Sequence, residues 1–186
     1  MMVIKSALPR ASLLVSSLLL LTIFTAHAET TVIFLRHGEK PETSTGQFNR
    51  ALALPSVLLA RFGMPDIVYA SAPKENKTGS SLRPLTTILP TAIQAAERPV
   101  ILKYHATQTD GLISDILSAS SQHKRVFISR EHKNLVVAAK ALVKRTGGDL
   151  SWLGQDFDSL YVVRLNEQGR FKSFNKETEG LTLSLG

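Results

Sequence analysis

The chain has 186 residues, 22 Lys and Arg against 15 Asp and Glu for a formal charge of +7, and no cysteine. The lack of cysteine excludes disulfides, a thiol nucleophile and thiolate metal sites. The basic surplus is scattered, with no run of five cations and only 6% aromatic residues, which argues against nucleic-acid binding and leaves small anions or an anionic membrane surface as partners.

In chain order, Lys5 and Arg10 precede an apolar run, Leu13 to Phe24, and then Ala26-His27-Ala28, a small-x-small cleavage pattern. This is the layout of a secretory signal peptide ending at residue 28. The run is short for a span of about 20 residues, so no stable membrane anchor is expected after cleavage. Without a cysteine behind the run, a lipoprotein anchor is excluded. The expected mature chain, 29–186, has 158 residues and a formal charge of +5, enough for one domain with a real core. Its expected location is the periplasm or the exterior.

Within it, Thr31–Leu35 reads as a strand, an apolar run ending abruptly in Arg36-His37-Gly38. Arg50–Phe62 reads as a helix with Leu54, Leu58 and Phe62 on one face, started or kinked by Pro55. Ile67–Ala70 is a second strand, and the polar stretch Ser71 to Ser81 a loop. Leu82–Glu97 is helical, with Pro84 in its first turn and Pro90 expected to bend it. Val100–Leu102 is a third strand, Gly111–Ser118 a helix and Arg125–Ser129 a fourth strand. Lys133–Arg145 is a long helix ended by Gly147-Gly148. Leu160–Leu165 and Phe171–Phe174 flank Asn166-Glu167-Gln168-Gly169, a hairpin signal. Alternating strand and helix predicts an α/β fold: a three-layer sandwich with a mostly parallel central sheet and an antiparallel C-terminal hairpin.

Two apolar strands thus run into histidine. Arg36-His37-Gly38 follows the first, and Ser129-Arg130-Glu131-His132-Lys133-Asn134 ends the fourth at a helix start. Between them, Arg83 opens the helix after the second strand, within Ser80-Ser81-Leu82-Arg83-Pro84-Leu85-Thr86-Thr87. A neutral imidazole is a nucleophile for phosphorus, and arginine forks suit phosphoryl oxygens. Neighbouring cations also disfavour a protonated ring. Gly38 permits a tight turn and close approach of an anion. Each residue has a plainer use: Arg83 as a surface cation, His132 as a helix-start residue, Asp110 as the N-cap of the third helix.

These motifs resemble the histidine phosphatase superfamily, the phosphoglycerate mutase-like or Arg-His-Gly proteins, in an exported small branch. Tyr69-Ala70-Ser71-Ala72-Pro73 is similar to the family's Ser-Ser-Pro, with an insertion of about Lys74–Gly79 before Arg83, and Thr86-Thr87 stands where the family has Gln-Thr. His132 and Asn134 match the family's Ser-His-Gly-Asn, whereas Glu131 and Lys133 depart from it. The resemblance implies that His37 accepts a phosphoryl group while Arg36, Arg83 and His132 hold its oxygens. It implies a carboxyl acid after the third strand, which Asp110 fits best, with Glu131 as rival and Glu39 a weaker one. Gly38, Thr43 (where many members have asparagine) and Asn134 would contact substrate. The implied ligand is a small phosphorylated substrate or inorganic phosphate, without cofactor or metal. No His-Glu-x-x-His, Gly-x-Ser-x-Gly or glycine-rich nucleotide loop is present. His105 and His123 read as surface residues, and Trp152, Leu153 and Phe157 as packing. The expected activity is phosphomonoester hydrolysis through a phosphohistidine. The alternatives are a phosphoglycerate mutase-like phosphotransferase, a non-catalytic phospho-ligand binder and an envelope scaffold with a decayed site.

Overall fold

The computed structural model describes residues 29–38, 46–74, 81–118, 121, 123–154 and 159–181, without the side chains of 46–48. In chain order the elements are β1 (Thr30–Arg36), α1 (Gly46–Phe62), β2 (Ile67–Ala70), α2 (Arg83–Gln94), β3 (Val100–Ile101), α3 (Thr109–Ile116), β4 (Arg125–Arg130), α4 (His132–Arg145), β5 (Ser159–Leu165) and β6 (Phe171–Thr178). They build one six-stranded sheet in the order β3-β2-β4-β1-β5-β6. β1 pairs with β4, β4 with β2 and β2 with β3 in parallel, while β5 and β6 add an antiparallel edge.

β1 shows why the apolar runs become central strands. Successive side chains on a strand face opposite sides of the sheet. Val32 and Phe34 enter one buried cluster, with Leu112, Ile113 and Ile116 of α3 and Leu135, Ala139 and Leu142 of α4. Ile33 and Leu35 enter a second, with Leu54 and Leu58 of α1 and Ile88 and Ala92 of α2. A strand buried on both faces has no polar alternation, so it reads as a continuous apolar run. The three-layer α/β architecture is the expected one.

Several details correct the sequence reading. α1 begins at Gly46, so Pro55 lies buried inside the helix instead of starting it. α3 begins at Thr109 with Gln108 in the N-cap position, which puts Asp110 in the first turn and not at the N-cap. There its charge is favourable to the helix dipole. β4 runs one residue further than expected, to Arg130, and β6 extends to Thr178. β6 is partly exposed along its whole length, and its polar second half hides it from an apolar pattern search. His105 is half-buried, its Nδ1 3.3 Å from the carbonyl of Ala72. The hairpin turn is held by Asn166, whose Oδ1 accepts from the N–H groups of Gln168 and Arg170, with Gly169 at φ +70°. Phe157 lies outside the described residues; Trp152 is 66% exposed and meets Phe174 edge-on. Among the described residues no helix is long and apolar enough to cross a membrane.

Candidate active site

Because β1, β2 and β4 are parallel, their C-terminal ends open on one edge of the sheet. That edge is where open α/β sheets bind ligands. His37 is the first residue past β1, and its N–H donates to the carbonyl of Arg130 at 3.0 Å, one step beyond the Arg36–Arg130 pair. The side chain is 3% exposed. Its Nδ1 lies 2.6 Å from the carbonyl oxygen of Gly38. A carbonyl can only accept, so Nδ1 carries the proton and the ring's lone pair sits on Nε2. The N–H of Gly38 donates to Thr87 Oγ1 at 2.9 Å, tying the turn to α2.

Burial pushes the His37 pKa below its ordinary value of 6.5. The Gly38 bond works against that, Arg83 lowers the pKa further, Glu131 raises it and Arg36 lowers it. The net direction keeps the ring neutral at pH 7, the state a nucleophile requires.

Arg83 is the first residue of α2. Its backbone N–H and its Nε both donate to Ser81 Oγ, at 3.1 and 2.9 Å, which aims the guanidinium from the helix start. His132 is the first residue of α4 and partly exposed. Its pKa is also lowered, by burial first, then by Arg36 and Lys133, against Glu131 and with Arg83. The same three charges, Arg36, Arg83 and Glu131, therefore act on both imidazoles. The fold brings together His37, Arg36, Gly38, Arg83, Glu131 and His132, although 95 residues separate the two histidines.

Asp110 is exposed in the first turn of α3, and the leading charge effects on both rings come from other groups. Asn134 Nδ2 donates to Glu131 Oε2 at 3.3 Å, so it steadies the carboxylate that does reach both histidines. Lys133 is exposed at the rim. Thr43 and Glu39 lie outside the described residues, as does most of the Lys74–Gly79 insertion. Among the described residues no group of three or more His, Asp or Glu side chains is arranged to hold a metal ion.

Four residues at this edge have no role in the sequence reading, although Thr87 and Arg130 lie within motifs it names. Thr87 sits one turn after Arg83 on α2, and that spacing was available as a signal. Arg130 is 1% exposed, and its guanidinium donates to the carbonyls of His105 and Ala106; a cation closing an apolar strand was the hint. Burial lowers its pKa to about 10, with Glu131 opposing. Arg50 and Glu179 form an ion pair, and Arg50 reaches the carbonyl of Arg36. No sequence signal joins two residues 129 positions apart.

No protein-family model and no curated protein matches this chain. Solved structures do. A phosphoglycerate mutase from Plasmodium falciparum superposes with a TM-score of 0.60 over 86% of this chain and 96% of its own, at 11% identity. The protein histidine phosphatase SixA, in complex with tungstate, gives 0.55 over 80% and 97%, at 11% identity. A mycobacterial glucosyl-3-phosphoglycerate phosphatase gives 0.54 over 80% and 97%, at 13% identity. The chain thus has the α/β fold of the histidine phosphatases and phosphoglycerate mutases. At these identities the likeness is one of fold; what the site does is argued from its own residues.

Proposed function

We propose that the protein is an exported phosphatase that hydrolyses phosphomonoesters through a phosphohistidine. The observation that carries the reading is the 2.6 Å contact between Nδ1 of the buried His37 and the Gly38 carbonyl: a neutral ring that donates there keeps its lone pair on Nε2, the nucleophile. Phosphoryl transfer is mostly positioning and charge, and the groups that act electrostatically on this ring are those the chemistry needs.

Nε2 attacks phosphorus as the bond to the leaving oxygen breaks. Arg36, Arg83 and the ring of His132 donate to the three phosphoryl oxygens, where negative charge concentrates in the transition state. A carboxyl group delivers the proton that the departing alkoxide takes up. Glu131 is favoured for this role over Asp110, because its charge reaches both imidazoles and Asn134 holds it in place. The resulting carboxylate then takes a proton from water as the water oxygen attacks the phosphohistidine, releasing phosphate and restoring the neutral ring. Export rests on the N-terminal sequence pattern, with Lys5 and Arg10 before an apolar run and Ala26-His27-Ala28 after it.

Acid-quench labelling with a phosphorylated substrate tests the proposal. The wild type traps a labile phosphoryl group on His37, and H37A traps none and loses hydrolysis of an aryl phosphate by at least about 10³-fold. An unlabelled wild type with tight phosphate binding identifies a phospho-ligand binder instead, and undiminished turnover in H37A removes His37 as the nucleophile.

A further inference from the structure

We infer that Arg50 and Glu179 form a clamp that positions the nucleophile, which gives the segment after β6 a part in catalysis. The inference rests on the phosphatase reading of the same site. It concerns the single peptide group that joins Arg36 to His37.

At its N–H end, that peptide donates to the carbonyl of Arg130 at 3.0 Å. At its carbonyl end, the oxygen of Arg36 accepts from Arg50 Nη2 at 3.0 Å. The register of β1 with β5 runs from Thr30 opposite Leu165 to Phe34 opposite Tyr161, two residues before that carbonyl. Arg50, from the first turns of α1, reaches it from outside the sheet. The guanidinium is itself fixed: Nε donates to Glu179 Oε2 at 2.7 Å and Nη2 also pairs with Oε1, a two-pronged contact. The pair is largely out of solvent, with side chains 14% and 4% exposed. A planar fork held by a buried carboxylate has little freedom left to move the carbonyl it grips.

The effect on the histidine follows from the next bonds along the chain. The peptide plane before His37 is held at both ends, and Gly38 is held through its N–H by Thr87. With both flanking peptides fixed, the 2.6 Å contact from Nδ1 to the Gly38 carbonyl is kept short, and with it the lone pair on Nε2. Removing the Arg50 donor weakens the hold on that plane and loosens the ring. Arg50 and Glu179 touch neither substrate nor the attacking atom in this account; they are positioning residues. A misplaced nucleophile costs rate rather than binding.

The test replaces both partners together, since removing one strands a buried charge. R50L/E179L should keep its fold, lose at least about tenfold in kcat and hold KM within about twofold. E179Q, which keeps an oxygen acceptor for Arg50, should retain at least about half of the wild-type kcat. In 15N spectra of the His37 ring, the wild type should show the fixed Nδ1–H tautomer and the double variant an average of two tautomers. If R50L/E179L does not fold, R50M/E179Q, which also removes both charges and the donor to the Arg36 carbonyl, is read by the same measurements. Wild-type kcat with an unaltered ring spectrum in the double variant overturns the clamp, and so does a rise in KM at constant kcat. If the wild type itself turns nothing over, the phosphatase reading fails, and the ring spectra alone decide the clamp.

Discussion

The ends of β1 and β4 invite comparison because they lie side by side in register, Arg36 opposite Arg130. Both strands enter from two apolar layers and both end in arginine. Beyond that they part. β1 delivers its histidine immediately, buried, with its backbone and ring nitrogen bonded. β4 first places Glu131 with extended dihedrals, and its histidine opens α4, partly exposed. The arginines divide in the same way. Arg36 acts on both imidazoles, whereas Arg130 is turned inward onto the carbonyls of the β3–α3 loop. The strand end proposed to carry the covalent step is the buried one, and the one proposed to donate to a changing anion is the more exposed.

Breaking that division gives measurable consequences. The largest is at His132: if its ring donates to the phosphoryl group, H132Q lowers kcat by about 10²–10³-fold. It should slow formation of the phosphohistidine in rapid-quench experiments while leaving His37 chemically intact. An effect smaller than about threefold would return His132 to a structural role.

The acid comes next. E131Q should slow hydrolysis of an alkyl phosphate by about 10²-fold and barely affect a phosphate with a good leaving group, which needs no proton. D110N should do neither. The reverse pattern in the two variants would assign the acid to Asp110.

The pH dependence sharpens the contrast between the two rings. Both folded-state pKa values lie below 6.5, so in the window beneath 6.5 the unfolded chain binds more protons than the folded one. Stability from these groups is fully present above pH 6.5 and is lost as pH falls through the folded values. The acid limb of kcat/KM should likewise lie below 6.5, because only the neutral His37 ring attacks. Calorimetric midpoints that rise on acidification from pH 7, or an acid limb above 6.5, would contradict the burial argument.

The smallest effect is at Thr87. T87V removes the acceptor for the Gly38 N–H and should lower stability by about 1–2 kcal/mol. A several-fold fall in kcat should accompany it, read by thermal denaturation and steady-state kinetics.

The apolar runs and the residues that close them made the sheet, its parallel core and the three main motifs legible, because each depends on neighbours in the chain. Arg36-His37-Gly38 could be read at once since strand, turn and imidazole are consecutive. Arg83 and His132 could be placed at helix starts by local pattern alone. Asp110 shows where local reading ends: a carboxylate at a helix start was visible, but whether it faces a histidine was not. That Glu131 acts on both rings, that Arg130 is spent on the His105 and Ala106 carbonyls, and that Glu179 reaches Arg50 were settled only by the tertiary structure. The physical reason is range. Backbone preference and apolar periodicity act over a few residues, whereas ion pairs and hydrogen bonds between segments exist only after the sheet has brought distant strand ends to one edge.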